Sequence, residues 1–224
     1  MYTPPFNAVR DEDEIRDMVS AARSAWLVTI GEDGFPVATL LPIMWHDHVV
    51  IAHLAKANRQ WSSIGDDTPG LLIVSGPDAY ISPSWYPAKA EHGKVVPTWN
   101  YSAVHLTGTV RAHHETDWLR AAVTKLTDTH ESGRDHPWQV TDAPAPYIDG
   151  QLNGIVGIEF TVTRIEGKAK LSQNRSPADQ AGVIGGLRED ALEPAQAAQA
   201  SAVADEMATR AGERRSAGRR QPRL

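Results

Sequence analysis

The chain has 224 residues, enough for one substantial domain or two small ones, and folding would bury about 70% of the surface the unfolded chain exposes. It contains no cysteine, which excludes disulfides and thiolate metal centres and suits a reducing compartment. The formal charge of −6 is uneven: six Arg against three acidic residues give residues 205–224 a charge of +3, leaving −9 on the body. An acidic body repels phosphate backbones, so any contact with DNA has to be local, through that basic tail; the tail's other reading is a frayed, solvated terminus. The opening MYTPPFNAVRDEDEIRDM is too polar and acidic for a secretory signal, and no run approaches the roughly 18 consecutive apolar residues of a membrane span. The sequence therefore reads as cytoplasmic, with no membrane partner.

In chain order, residues 11–24 place Ile15, Met18, Val19 and Ala22 at helical spacing behind a run of acids, which predicts an amphipathic helix. AWLVTI (25–30) and FPVATLLPI (35–43) read as strands joined by the glycine-containing reversal GEDG. WHDH then turns the chain into VVIAHL (49–54), a third strand with a β-branched start. Asn58 caps a short helix that runs toward Gly65. LLIVS (71–75), a break at Gly76-Pro77 and AYIS (79–82) lead through a Pro-rich excursion into a strand over 98–110. A helix over 115–131 buries Trp118, Leu119, Ala122, Val123 and Leu126, and it is followed by a long strand over 155–167 and a short helix over 178–189. Beyond 190 the chain is Ala-rich and then Arg-rich, which predicts a tail that is a marginal helix or disordered. The whole is mainly β with flanking helices, a closed or partly closed barrel domain over 1–189 with a tail over 190–224. No βαβ alternation, GxGxxG loop or P-loop is present, so a Rossmann or P-loop nucleotide site is not expected.

Three segments carry candidate chemistry. HLAKANRQW (53–61) brings Lys56 and Arg59 to a strand end where Asn58 opens a helix, an arrangement suited to a phosphate; its bland reading is two solvated cations, a cap and a core histidine at His53. AYISPSWYPAKAEHGKVVPTWNY (79–101) holds Tyr80, Trp85, Tyr86, Trp99 and Tyr101 beside Ser82, Ser84, Thr98 and Asn100. Flat rings with polar edges suit a planar ligand, and equally suit a small satellite core or a subunit interface. IEGKAKLSQNRSPAD (165–179) alternates Lys168, Lys170 and Arg175 with Ser172, Gln173 and Asn174, which reads either as a polar reach toward a ligand or as an exit loop. His46 and His48 have no evident third metal ligand. No Ser-His-Asp set, nucleophile elbow or HExxH pattern occurs, so any catalysis would be lent by a cofactor.

Taken together, HLAKANRQW, GPDAYISPSWY, VPTWNY and KLSQNR resemble the signature stretches of the PaiB family, described as FMN-binding negative transcriptional regulators. The resemblance runs from MYTPPF to GVIGGL and implies a split β-barrel of the flavin-reductase and pyridoxamine-phosphate-oxidase type, a homodimer with cofactor sites at the subunit boundary. It implies that Lys56, Asn58 and Arg59 lie on the phosphate side of FMN, with Trp61 beside them. The region from Tyr80 to Trp99, with Ser82, Trp85, Thr98 and Asn100, would meet the isoalloxazine, and Lys170 and Gln173 would reach the same cofactor. The family is also similar to haem-dependent piperazate synthases, which makes haem b the alternative cofactor and His53, in H-x-x-[KR]-A-N, its iron ligand. The stretch after KLSQ, however, follows the PaiB form. Two functions follow from the resemblance: an FMN-binding negative regulator of transcription, or a cofactor-dependent oxidoreductase or haem enzyme of the piperazate-synthase type using the same pocket, with His53 as iron ligand.

Overall fold

A two-residue strand, β1 (Ala8–Val9), precedes the first boundary the sequence sets, Asp11. Its carboxylate accepts from the backbone N–H groups of Asp13 at 2.9 Å and Glu14 at 3.4 Å and so opens helix α1 (Glu12–Ala22). Ile15 and Val19 bury, and Arg23 ends the helix in the left-handed region at φ 57°. The protein is described here by a computed structural model covering residues 1–189 and 193–219, with side chains as far as residue 212.

β2 (Ser24–Ile30) and β3 (Pro36–Pro42) pair antiparallel from Ser24↔Pro42 to Ile30↔Pro36, closing around Gly34 at φ 81°. β4 (Met44–His46) and β5 (Val49–Ala55) form a second hairpin turning at Asp47, φ 50°, so the first half of the expected WHDH turn is strand. Three long strands follow: β6 (Thr68–Ile81), β7 (Thr98–His113) and β8 (Ile155–Lys170). The expected break at Gly76-Pro77 does not occur, because Gly76 serves close packing instead: a Cβ there would lie 2.1 Å from Ser102 Oγ. The eight strands form one sheet in the order β3-β2-β6-β7-β8-β5-β4, with β1 paired to β8.

Five further helices are α2 (Ala88–His92), α3 (Thr116–Glu131), α4 (Ala145–Leu152), α5 (Pro177–Glu189) and α6 (Pro194–Arg219). The chain divides into two compact units, one of Met1–Val9, Gly76–Ala103 and Gly167–Leu224, the other of Arg10–Ser75 and Val104–Glu166, and β6, β7 and β8 each contribute residues to both. In the second unit Leu27, Val50, Leu54, Leu72, Leu106, Ile158 and Phe160 form the buried interior. In the first, the segment expected to be a marginal or disordered tail is the 26-residue α6, with Ala200, Val203, Ala204 and Met207 buried at helical spacing. Docking supplies the stability that composition alone does not: Ser102 Oγ donates to Glu206 at 3.1 Å, Asn100 Nδ2 to Met207 Sδ at 3.4 Å, and Arg188 pairs with Asp205 at 2.6 Å. Residues 190–192 and 220–224, which the tail expectation also covered, lie outside the described residues. No described helix is long and apolar enough to cross a membrane.

Two glycines make opposite predictions. A Cβ on Gly108 would lie 1.9 Å from the Thr161 backbone oxygen, so Gly108→Ala is expected to destabilise by about 3 kcal/mol. Gly150, in α4 with open space around it, should gain about 0.5 kcal/mol as alanine. Urea unfolding followed by circular dichroism checks both, and equal effects would contradict the packing described.

Candidate functional site

The first expected segment lies wholly in the unit of Arg10–Ser75 and Val104–Glu166. β5 holds His53 opposite Gly157 of β8, and Gly157 is bare because the Trp118 ring occupies that space, 2.1 Å from where its Cβ would stand. Trp118 in turn stacks on His113 at 4.1 Å. His53 is half-buried, its Nδ1 has no hydrogen-bond partner, and burial lowers its pKa below the usual 6.5, so the ring is held neutral. Lys56 and Arg59 are exposed, and neither has a carboxylate partner among the described residues. Trp61 ties back to the loop through Nε1, which donates to the Lys56 carbonyl at 2.9 Å, and the Arg59 guanidinium lies 5.5 Å from its ring centre.

Asn58 does cap the helix after it, accepting from Gln60 N at 3.0 Å, but that helix is a five-residue 3-10 turn, Arg59–Ser63, too short for a useful dipole. Its amide donates to Thr39 Oγ1 at 2.9 Å, so both ends of the side chain work inside the protein. The residue that sequence reasoning missed here is Gln60. It is buried, and its amide donates to Leu27 O, Thr29 Oγ1 and Val37 O at 3.0–3.2 Å while its oxygen accepts from Thr39 at 2.6 Å. This one side chain fixes the 3-10 turn to the β2–β3 hairpin.

The aromatic segment lies in the other unit and builds a cavity of about 550 Å³. Tyr80, Ser82, Trp85 and Trp99 line it, and Asp78, Gln196 and Gln199 join them. Trp99 Nε1 donates to Asp78 Oδ1 at 2.8 Å, and Tyr80 meets Trp99 edge-on with ring centres 6.2 Å apart. α5 is shaped to receive Trp85: a Cβ on Gly186 would lie 2.3 Å from the indole, and one on Gly182 would lie 2.1 Å from the Trp85 carbonyl. Asp78 and the α6 glutamines were not legible as site residues, since the first follows an expected break and the others belong to an expected tail.

Thr98, Asn100 and Lys170 do not join this cavity. Successive side chains of a strand point to opposite faces, so Trp99 turns one way and its neighbours on β7 the other. Thr98, Asn100 and Lys170 line a separate pocket of about 230 Å³. There Lys170 Nζ donates to Thr98 Oγ1 at 2.6 Å and to the Trp99 carbonyl, and Asn100 exchanges hydrogen bonds with Ser172 at 3.1 and 3.2 Å. Gln173 folds back on its own strand, accepting from Leu171 N at 2.7 Å and donating to the Ala169 carbonyl, and lines neither cavity. The expected residues thus form three groups. Among the described residues no cluster of three His, Asp or Glu could hold a metal ion, and His46 simply faces Asp47 at 3.0 Å.

The sheet order with its flanking helices is that of a split β-barrel of the flavin-reductase and pyridoxamine-phosphate-oxidase type. Solved structures share it: the FAD and heme binding protein from Mycobacterium smegmatis has a TM-score of 0.58 at 14% identity over 78% of each chain. The flavocytochrome Anf3 from Azotobacter vinelandii has 0.55 at 15% over 79% of this chain and 75% of its own. Residues 1–164 match the family described as "Putative FMN-binding domain". The chain is also 36% identical over 194 residues, 85% of its length and 90% of the relative's, to Protease synthase and sporulation protein PAI 2 of Bacillus subtilis. The protein belongs to this FMN-binding-domain family, the PaiB family.

The aromatic cavity fits a planar ring system with polar edges. For haem, iron takes a neutral imidazole whose second nitrogen normally donates to an acceptor; His53 meets the first condition, while its buried Nδ1 lacks the second. The lowered pKa also has a sign. Between the folded pKa and 6.5 the unfolded chain binds the extra proton, so His53 withdraws stability as pH falls below about 6.5, at no more than about 1.4 kcal/mol per pH unit. His53→Gln is expected to flatten the loss of stability as pH falls below 6.5, measured by urea unfolding; a profile parallel to that of the parent would remove His53 as its source.

Proposed function

We propose that the protein binds FMN, with the isoalloxazine held among Tyr80, Trp85 and Trp99. The observation that carries this reading is the cavity itself: three aromatic faces with Ser82 and Asp78 at the edge, in about 550 Å³. That volume lies within the roughly 300–1,000 Å³ of small-molecule sites. Membership of the FMN-binding-domain family supports the identity of the ligand. Lys56 and Arg59, exposed and without carboxylate partners among the described residues, are proposed for a phosphate on the strength of their charge. FMN supplies electron-transfer chemistry when bound; the chain's part is to stack the ring, satisfy its edge and keep water from its face.

Negative regulation of transcription is the role we propose this binding to serve. PAI 2 is named for protease synthesis and sporulation, and the Arg-rich end of the present chain, residues 205–224, carries +3 against an acidic body. Homodimerisation is proposed from the outward face of β2 and β3, where Trp26, Ile30 and Leu40 are 44%, 54% and 50% exposed and no charged side chain intervenes.

The purified protein with added FMN is expected to show flavin absorption that stays with it on gel filtration, at twice the chain mass by light scattering. Trp99→Ala should weaken FMN about tenfold, the cost of one aromatic stacking partner. A Soret band in place of flavin bands, or FMN affinity untouched by Trp99→Ala, would overturn the ring site, and a monomer would overturn the dimer. For regulation, DNA affinity should fall steeply between 50 and 200 mM salt, by about a factor of ten or more; no measurable affinity at either salt would remove direct DNA contact.

A further inference from the structure

The pocket of about 230 Å³ is unlike the aromatic cavity in charge and in size. The Pro5–Asn7 turn, the approach to β7 and the end of β8 bound it, and none of its lining residues is Asp or Glu. Into it face Lys170 and Arg175, with Thr98, Asn100, Ser172 and Asn174 between them. Lys168, two residues back on β8, is 7% exposed, and among the described residues its Nζ finds only neutral acceptors, Tyr101 OH at 2.6 Å and Tyr2 O at 3.1 Å. Lys170 likewise meets only Thr98 and a carbonyl, leaving one of its three N–H bonds uncommitted. Arg175 is half-buried with its guanidinium 5.0 Å from the Tyr86 ring centre and no acceptor for its side-chain N–H groups among the described residues.

Three cations drawn out of bulk water without a carboxylate partner among the described residues call for a negative charge from elsewhere. We propose that this pocket binds a phosphate group, with Lys170 and Arg175 as its principal partners and the Asn174 amide beside them. A phosphate near −2 answers this much positive charge better than a carboxylate does, and its tetrahedral oxygens accept from an ammonium, a guanidinium and an amide approaching from different sides. The volume is below that of sites enclosing a whole drug-sized ligand, so the occupant is inorganic phosphate or the head group of a phosphate monoester. Burial and then the neighbouring charge of Lys168 lower the Lys170 pKa, and a bound dianion opposes the second of these. This pocket shares no lining residue with the aromatic cavity proposed for the FMN ring, and Lys56 and Arg59 belong to the other unit.

Isothermal titration of the full chain with inorganic phosphate, with acetate in parallel and ionic strength held constant by chloride, tests it. Saturable phosphate binding is expected, at least about tenfold tighter than acetate, and weakened about tenfold by Arg175→Gln and by Lys170→Met. Any phosphate binding at Lys56 and Arg59 is a separate event, so the binding that Arg175→Gln weakens should persist in Lys56→Gln and Arg59→Gln. Because Lys170 also braces Thr98 and the Trp99 carbonyl, circular dichroism must show that Lys170→Met is folded; Arg175→Gln carries the test if it is not. Equal affinity for acetate, phosphate affinity unaltered in Arg175→Gln, or loss confined to the Lys56 and Arg59 variants would each overturn the site. Failure of FMN to bind, with phosphate binding intact, would overturn only the flavin reading.

Discussion

Close approach to the long strands, by a neighbouring strand or by a packed ring, leaves no space for a side chain at several positions, and much else follows from it. Gly76 lies against Ser102, Gly108 beneath the Thr161 carbonyl, and Gly157 under the Trp118 ring. Any Cβ at these points would have to displace backbone or a packed side chain. The spacing they permit allows β6, β7 and β8 to run 14 to 16 residues without interruption, and it is these strands that deliver the candidate residues to their places.

The two-residue period of β7 then sorts those residues. Trp99 enters an apolar cavity with its indole N–H satisfied by Asp78, while Thr98 and Asn100, one position away, belong to a cationic pocket. Adjacent letters in VPTWNY therefore do different chemistry, one suited to a flat apolar ring and the other to an oxyanion. Chain proximity is a poor guide to shared function wherever the backbone is extended.

The β-strand assignments were legible where periodicity was strong. The hairpin over residues 24–42, the strand over 49–55 and the helix over 116–131 match their sequence patterns closely, because in each the buried face is mostly apolar, Thr29 being a buried exception that meets Gln60. α4 was not legible, since Pro144, Pro146 and Gly150 mark its short span as loop, and it is stabilised by packing of Ile148 and Leu152 beside Leu119. α6 reads from sequence only as a marginal helix or a disordered tail, for the converse reason: Ala-rich composition says little about docking, and Val203 and Met207 find their cover in tertiary structure. Of the candidate site, the aromatic lining was readable from density of rings alone. Gln60 was not, because a single glutamine in a loop carries no sign that backbone carbonyls of two strands will converge on it.

α5 shows what such packing asks of a local segment. Three of its thirteen residues, Gly182, Gly185 and Gly186, are glycine, a composition that opposes helix formation by about 1 kcal/mol at each position. Two of the three leave bare the surface on which Trp85 rests. The segment is thus a conditional helix, whose order is borrowed from an indole that arrives from almost a hundred residues earlier in the chain. Assembly of the aromatic cavity and helix formation in α5 are for that reason a single cooperative event, in which neither the wall nor its lining has an independent existence.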